Sequence, residues 1–370
     1  MIIKRIRVLT IISVFLALAG ASGGFALEVT GIAPQFGGGD VVWNSDFSSA
    51  WDSVLNDIND EIGDIDSKPE KLIKAWGDAS IFASQGATQR GYGEPKLFTF
   101  TVGSMVGIKT GTSLSNIRNY IDSVGDKIED EGDIVLGANI QAISGQFNFN
   151  TSRFLLNGLD LGIRFGYFKM NHFSDDFGLN TWSFGLVGGY QMLKEKTIVP
   201  VVLKWRGLSL GTGFIYQHSN IYYSVALDSI NQDIEGVYSG TIINIEPKLV
   251  FDMTTNTFTI PLELTTAIQL LSFLNITLGL GADLGFGKNK MTLDLSGDIN
   301  LRNLPTGISQ TRSGNVTVSG GGTMAPSFFN PKIMTGIGFK IGPVILDVPV
   351  SLYLMGGDGF SVGVTFGVIL

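Results

Sequence analysis

The residues able to do acid–base or nucleophilic chemistry are few: the chain has two histidines and no cysteine. His218 lies in the stretch YQHSN, Tyr216 to Asn220, next to Ser219. A serine nucleophile needs its base within hydrogen-bond reach. On a strand, adjacent residues point to opposite faces, so the residue sharing the face of His218 is Asn220. His218 is therefore expected at a membrane interface, flanked by Tyr216 and Tyr222. His172, near Asp175 and Asp176, follows Met170 in a polar stretch that reads as a solvated turn. The acidic runs NDINDEIGDID (56–66) and GDKIEDEGD (125–133) miss the ligand spacing of an EF-hand loop. GLGADLG (279–285) and GIGFKIG (336–342) keep strand parity with no helix after them, unlike a phosphate-binding turn. The residue types thus predict no catalytic residue, no cofactor and no metal.

The remaining charges are more informative, because they alternate against apolar residues. Asp160 and Arg164 fall between Leu159, Leu161, Ile163 and Phe165; Lys204 opposes Val201, Leu203 and Trp205. Glu246 and Lys248 oppose Ile245, Leu249 and Phe251, and Glu263 opposes Ile260, Leu262 and Leu264. Asp283, Lys340 and Asp347 follow the same rule. A period of two puts all nine on the second face of their strands, away from the apolar one. If the apolar face meets lipid, a charge placed there would cost about 2–4 kcal/mol for Arg or Lys at the midplane. The nine are therefore expected to face a lumen, and their mixed signs predict pairing or anchoring of a plug rather than an ion-selective field.

The composition requires such a wall. Only 16% of residues are charged and the mean hydropathy is +0.27, yet beyond residue 26 no run of about 18 apolar residues exists to make a membrane helix. Helices and closed barrels are the structures that satisfy the backbone in lipid, so the fold class is an all-β, transmembrane antiparallel barrel. The chain ends GFSVGVTFGVIL, with Phe360, Val362, Val364, Phe366, Val368 and Leu370 on one parity and Ser361, Gly363, Thr365 and Gly367 on the other. From residue 96 to 370 strand-like segments number about twelve, and the even-number rule gives 12 or 14. Counting twelve, with the first strand running outward, places the polar segment 220–239 on the periplasmic side. Prolines at 200, 247, 261, 331 and 349 remove ladder donors and are expected mainly at strand starts.

The N-terminus is distinct. Residues 1–26 carry Lys4, Arg5 and Arg7, an apolar run from Val8 to Ala19 and small residues at Gly24 and Ala26, the pattern of an export signal. Residues 27–95 hold two helical patterns: 48–62, with Trp51, Val54, Leu55, Ile58 and Ile62, and 69–84, opened by Pro69 and stacking Leu72, Trp76, Ala79 and Ala83. A third amphipathic pattern falls within 109–132. The first two are expected to form a plug or a periplasmic extension, with Trp51, Trp76 and Asp78 as plug residues. Asp78 is expected to meet lumen cations such as Arg164 or Lys248. A net charge of −8 and a pI near 4.8 argue against a nucleic-acid partner.

The stretch Lys74 to Gly103, KAWGDASIFASQGATQRGYGEPKLFTFTVG, combines a small-residue helix, a glycine turn, Pro95 and a first strand. It resembles the N-terminal hatch of the FadL/OMPP1-type hydrophobic-compound transporters. That resemblance implies a plugged barrel in the bacterial outer membrane for passive uptake of small, fatty-acid-like molecules. The partners then implied are outer-membrane lipid, the barrel assembly machinery and a hydrophobic substrate. The alternative is a structural or adhesive surface barrel without transport.

Overall fold

The computed structural model describes residues 26–38, 45, 47–49, 51–52, 69–92, 95, 97–110, 136–152, 155–174, 176–226, 229–233, 240–354 and 359–370. Residues 1–25, most of the 48–62 pattern, the 109–132 pattern beyond residue 110, and Asp175 lie outside them.

Strands with strict alternation pair antiparallel with their sequence neighbours and close on themselves. The ring runs β3 (Phe98–Thr110), β4 (Leu136–Asn150), β5 (Leu159–Ser174), β6 (Phe177–Leu193), β8 (Leu203–Ala226), β10 (Ile242–Leu270), β11 (Leu274–Arg302), β14 (Phe329–Ile341), β15 (Val344–Tyr353) and β16 (Gly359–Ile369). It closes where β16 pairs β3, Val362 opposite Val106 and Phe366 opposite Val102. Around this ten-strand ring the same sheet takes in β1 (Ala26–Ile32), β7 (Lys196–Val199), β9 (Ile230–Asp233) and β13 (Gly314–Met324), fourteen strands among the described residues. A separate pair joins β2 (Gln35–Gly37) to β12 (Ser309–Arg312).

The ring holds ten strands rather than 12 or 14 because alternation does not show where one strand stops. The segments 240–251 and 257–268 are one strand, β10, of 29 residues. Residues 196–202 form β7 and a turn, which fold back on the start of β8 at one rim. With that correction the segment 227–241 moves to the same end as the connections 111–135 and 303–328. The opposite end has the shorter connections 271–273 and 342–343. In outer-membrane barrels short turns face the periplasm and long connections the exterior.

Outward side chains form a belt. Phe100, Phe147, Ile163, Phe165, Phe184, Leu186, Phe214, Leu264, Leu278, Leu280, Ile337, Leu346, Val364 and Phe366 are all exposed. An apolar surface continuous around a barrel marks contact with lipid rather than water. On β11 it runs from Ile276 to Phe286, about 33 Å along the strand and about 25 Å along an axis tilted by about 40°. Aromatic side chains crowd its outer margin: Trp182 lies 5.0 Å from Tyr216, Tyr216 4.9 Å from Phe258, and Phe258 5.6 Å from Phe286. A charge in this belt would lose its hydration. Phe165→Arg should therefore cost about 2–4 kcal/mol in reversible unfolding from lipid vesicles. Gly211→Ser, whose new Cβ would meet Glu263 at ordinary contact distance, should change little. Equal effects would reverse the inside and outside of the wall.

Beyond the belt β10 and β11 continue together, and β13, β1 and β9 extend the sheet around them. There the apolar parity switches. On β10 the odd-numbered residues face inward throughout, Glu263 within the belt and Leu249 and Met253 beyond it. Inside the membrane the outer solvent is lipid and the apolar residues turn out; beyond it the outer solvent is water and they turn in. Glu246 and Lys248 are consequently exposed on the outer face of the extension and do not line the lumen. Prolines also depart from expectation: Pro261 and Pro349 sit mid-strand, where the pairings with Gly213 and Gly363 are interrupted.

Candidate functional site

Helix α1 (Pro69–Ala83) opens with proline at its first turn and has Glu70 there as an acidic residue. Its far half carries small residues on every side, and from Gly77 to Thr88 each residue is buried. Such a helix cannot stand at a surface; it lies within the ring, touching β3, β4, β8, β10, β11, β13 and β16. The ring makes room with glycine. A methyl on Gly107 would collide with Ala79 O and Ala83 N, one on Gly137 with the backbone of Ala75, and one on Gly359 with the Phe82 ring. This explains the bare inner face of the alternating strands.

The segment runs lengthwise. Near its start Ile73 packs with Leu249, Met253, Met291 and Leu293, with Leu72 and the half-buried Trp76 beside them, under the external extension. Past the helix, Arg206 Nη2 donates to Tyr92 O at 2.8 Å near the short-turn end, where β3 begins. Between these points the inner face of the wall holds it: Ser80 Oγ lies 3.0 Å from Thr257 Oγ1, Gly86 N donates to Gln141 Oε1 at 2.9 Å, and Thr101 Oγ1 donates to Ala87 O at 2.6 Å. Asp78 accepts from Ser327 N (2.6 Å) and Ser327 Oγ (2.8 Å) and lies 3.7 Å from Lys109 Nζ. Its partners are thus Lys109 and Ser327, not Arg164 or Lys248; strand register, invisible to residue type, selects them.

The strongest attachment is a buried ionic cluster. Arg90 donates from Nε (2.9 Å) and Nη2 (2.6 Å) to Glu263, and from Nη2 to Gln85 Oε1 at 2.7 Å. Lys332 Nζ donates to Glu263 at 2.7 Å, to Asp283 at 2.7 Å and to Gln85 Oε1 at 2.9 Å. Gln85 Nε2 and Tyr353 OH donate to the two oxygens of Asp283 at 2.8 and 2.9 Å. Phe82 stacks on Tyr353 with ring centroids 3.6 Å apart. Two cations and two carboxylates balance, joining the inserted segment to β10, β11, β14 and β15. Sequence alternation placed Glu263 and Asp283 on an inner face; Lys332, Arg90 and Gln85 carried no signal of their own.

The other named residues are dispersed. Asp160 accepts from Asn148 Nδ2 at 2.6 Å, and Arg164 donates to Gln146. Asp347 is buried, and it and the Tyr92 hydroxyl both stand against Gly338. Lys204 and Lys340 sit at the short-turn rim, where Lys204 Nζ and Arg206 Nη1 both bind Glu195, at 2.5 and 2.6 Å. Partial burial opposes ionisation of Glu195, but the Lys204 hydrogen bond and the Arg206 charge hold its carboxyl below the usual carboxylate range. Trp51 lies outside the lumen, in the extension, with Phe47, Ile243, Ile299 and Leu301. His218 Nδ1 is 2.9 Å from Asn256 Oδ1 and its ring stands 5.9 Å from Trp182, whereas Ser219 points inward to Thr181 at 3.0 Å. The histidine and serine are therefore held on opposite faces of β8.

A family profile described as Lsa36-like matches residues 24–368. The chain belongs to the Lsa36-like family. Comparison with curated proteins finds no sequence match. Among solved structures, this Lsa36-like chain is similar to the translocator domain of the autotransporter NalP from Neisseria meningitidis, at 8% identity and TM-score 0.28, over 75% of this chain and 90% of that one. It is also similar to the Pseudomonas putida toluene transporter TodX, at 7% and 0.25, over 80% and 98%. A third is a FadL homologue of Pseudomonas aeruginosa, at 10% and 0.21, over 80% and 96%. At these identities and scores the likeness carries no ligand or substrate across.

Proposed function

We propose that this Lsa36-like protein is an outer-membrane barrel for passive uptake of small hydrophobic molecules, closed at rest by its own N-terminal segment. The observation that carries this reading is what fills the lumen. Residues 69–92 occupy it, and the wall answers them with glycine at positions 107, 137, 285 and 359. A ring this narrow can be filled by its own side chains; this one leaves space for a removable insert held only by non-covalent contacts. On the extension Ala33, Pro34, Phe36, Phe47 and Trp51, with Gln35, Ser48 and Thr311, line an open groove of about 430 Å³. The interrupted ladders at Pro261 and Pro349 are weak points for sideways release into lipid.

A second reading, a structural or adhesive surface barrel, draws on the extension. Strands of 29 residues far exceed the roughly 9–11 needed to span a membrane, and the surplus stands in water as a sheet. Planar-bilayer conductance separates the two. The intact protein should conduct weakly, and the protein lacking residues 27–90 should fold, shown by heat-modifiable migration, and conduct strongly. An apolar fluorescent probe should bind the intact protein and quench its tryptophan emission. Low conductance from both proteins, with no probe binding, would overturn uptake in favour of the surface-barrel reading.

A further inference from the structure

The outer margin of the lipid belt is not uniform around the ring. From β5 to β11 the pairing registers align two rows of outward side chains along the aromatic margin. The lower row runs Trp182, His218, Asn256 and Lys288; the upper row runs Lys169, Asn180, Asn220, Thr254 and Lys290. Lys169, Lys288 and Lys290 are exposed. Lys288 follows Phe286, where the belt ends on β11, on the same face and about 7 Å farther along the strand. On the other side of the ring the outer ends of β14, β15, β16 and β3 turn Phe329, Leu352, Phe360 and Ile108 outward instead.

Opposing charge is sparse here. Among the described residues the three lysines form no salt bridge. Asp252, diagonal to Lys290 across the β10–β11 ladder, accepts from Asn220 Nδ2 at 3.2 and 3.0 Å and from Thr254 Oγ1 at 3.2 Å. Asp176 and Asp294 stand farther out, the latter four residues beyond Lys290. The two rows and Asp252 thus carry three positive charges against one negative. Asn256 Oδ1 accepts from Tyr216 OH at 2.8 Å and lies 2.9 Å from His218 Nδ1, while Asn256 Nδ2, in register with Lys288, has no acceptor among the described residues. Lysine at such a depth lays its stem on apolar surface and holds its ammonium at the level of lipid headgroups. We infer that this patch binds an anionic, phosphate-bearing lipid of the leaflet on the extension side. The phosphate sits between Lys288 and Lys290 and accepts from Asn256 Nδ2, and the acyl chains lie over Phe286, Phe258 and Tyr216. Such a site is independent of what passes through the lumen.

The test uses the full-length protein refolded in a neutral detergent and titrated with phosphatidic acid or, as control, phosphatidylcholine, with bound lipid counted by native mass spectrometry. Phosphatidic acid should add one molecule at a several-fold lower concentration than phosphatidylcholine. It should also raise the unfolding midpoint, as a ligand of the folded state does. Lys288→Gln together with Lys290→Gln should abolish the preference, whereas Lys340→Gln, at the opposite rim, should keep it. Sodium phosphate, compared with sodium chloride at equal ionic strength, should leave the lipid bound; displacement would make the patch a site for free phosphate and overturn the lipid assignment. Equal affinity for the two lipids, or a preference that survives in the double variant, would overturn the inference.

Discussion

Removing Val364–Leu370 is expected to leave no folded barrel in the membrane. Val364 to Ile369 pair with Ser104 to Thr99 on β3, and Thr365 to Val368 pair with Asp347 to Val344 on β15. The last residue completes the seam: Leu370 O accepts from Leu97 N at 2.7 Å and Leu370 N donates to Phe98 O at 2.9 Å. Truncation opens two edges inside hydrocarbon, where each unsatisfied backbone group costs several kcal/mol and no water can substitute. It also strips Ile369 from Tyr92 and Ile345, loosening the insert at its exit. Heat-modifiable migration and protease resistance of the membrane fraction should both vanish. Phe366→Ala should keep both, because Phe366 points outward and its backbone does the closing. A normal barrel from the truncated chain would mean that the seam lies elsewhere.

Glu263→Ala should be the most damaging single change in the lumen. Glu263 is the common acceptor of Arg90 and Lys332, and its removal leaves two buried cations facing Asp283 alone. Breaking a buried pair from one side typically costs about 3–5 kcal/mol, most of it the uncompensated charge that remains. If charge balance is the cause, Lys332→Met in the same chain should recover stability, because Arg90 and Asp283 then balance. Urea unfolding in lipid vesicles should show Glu263→Ala well below the wild type and the double variant between them. A double variant no better than the single would assign the loss to packing around Phe82 and Tyr353 instead.

Alternation, glycine content and the absence of long apolar runs suffice to define an antiparallel membrane barrel, and Pro69 with its small-residue pattern marks the helix that the structure gives as Pro69–Ala83. They do so because strand and helix periods are local, and because a lipid-facing wall tolerates few charges. The adjacency of His218 and Ser219 likewise settles that they point apart, a matter of strand geometry alone. The number of strands in the ring was not legible. A period of two is unbroken whether residues 242–270 form one strand or two, and only pairing with β8 and β11 makes them one.

Nor can alternation say which face is inside. It records that two faces differ, whereas the solvent beyond the wall decides which of them turns out. Glu263 and Glu246 oppose apolar neighbours in the same way, yet one is buried beside Arg90 and the other exposed to water on the extension, on a single continuous strand. The partners of Asp78, the neutrality of the Glu263 cluster and the bond of Arg164 to Gln146 belong to the same class. They bring together residues as far as 249 positions apart, as Asp78 and Ser327 are. Only closure of the ring around its own N-terminal segment places them within reach.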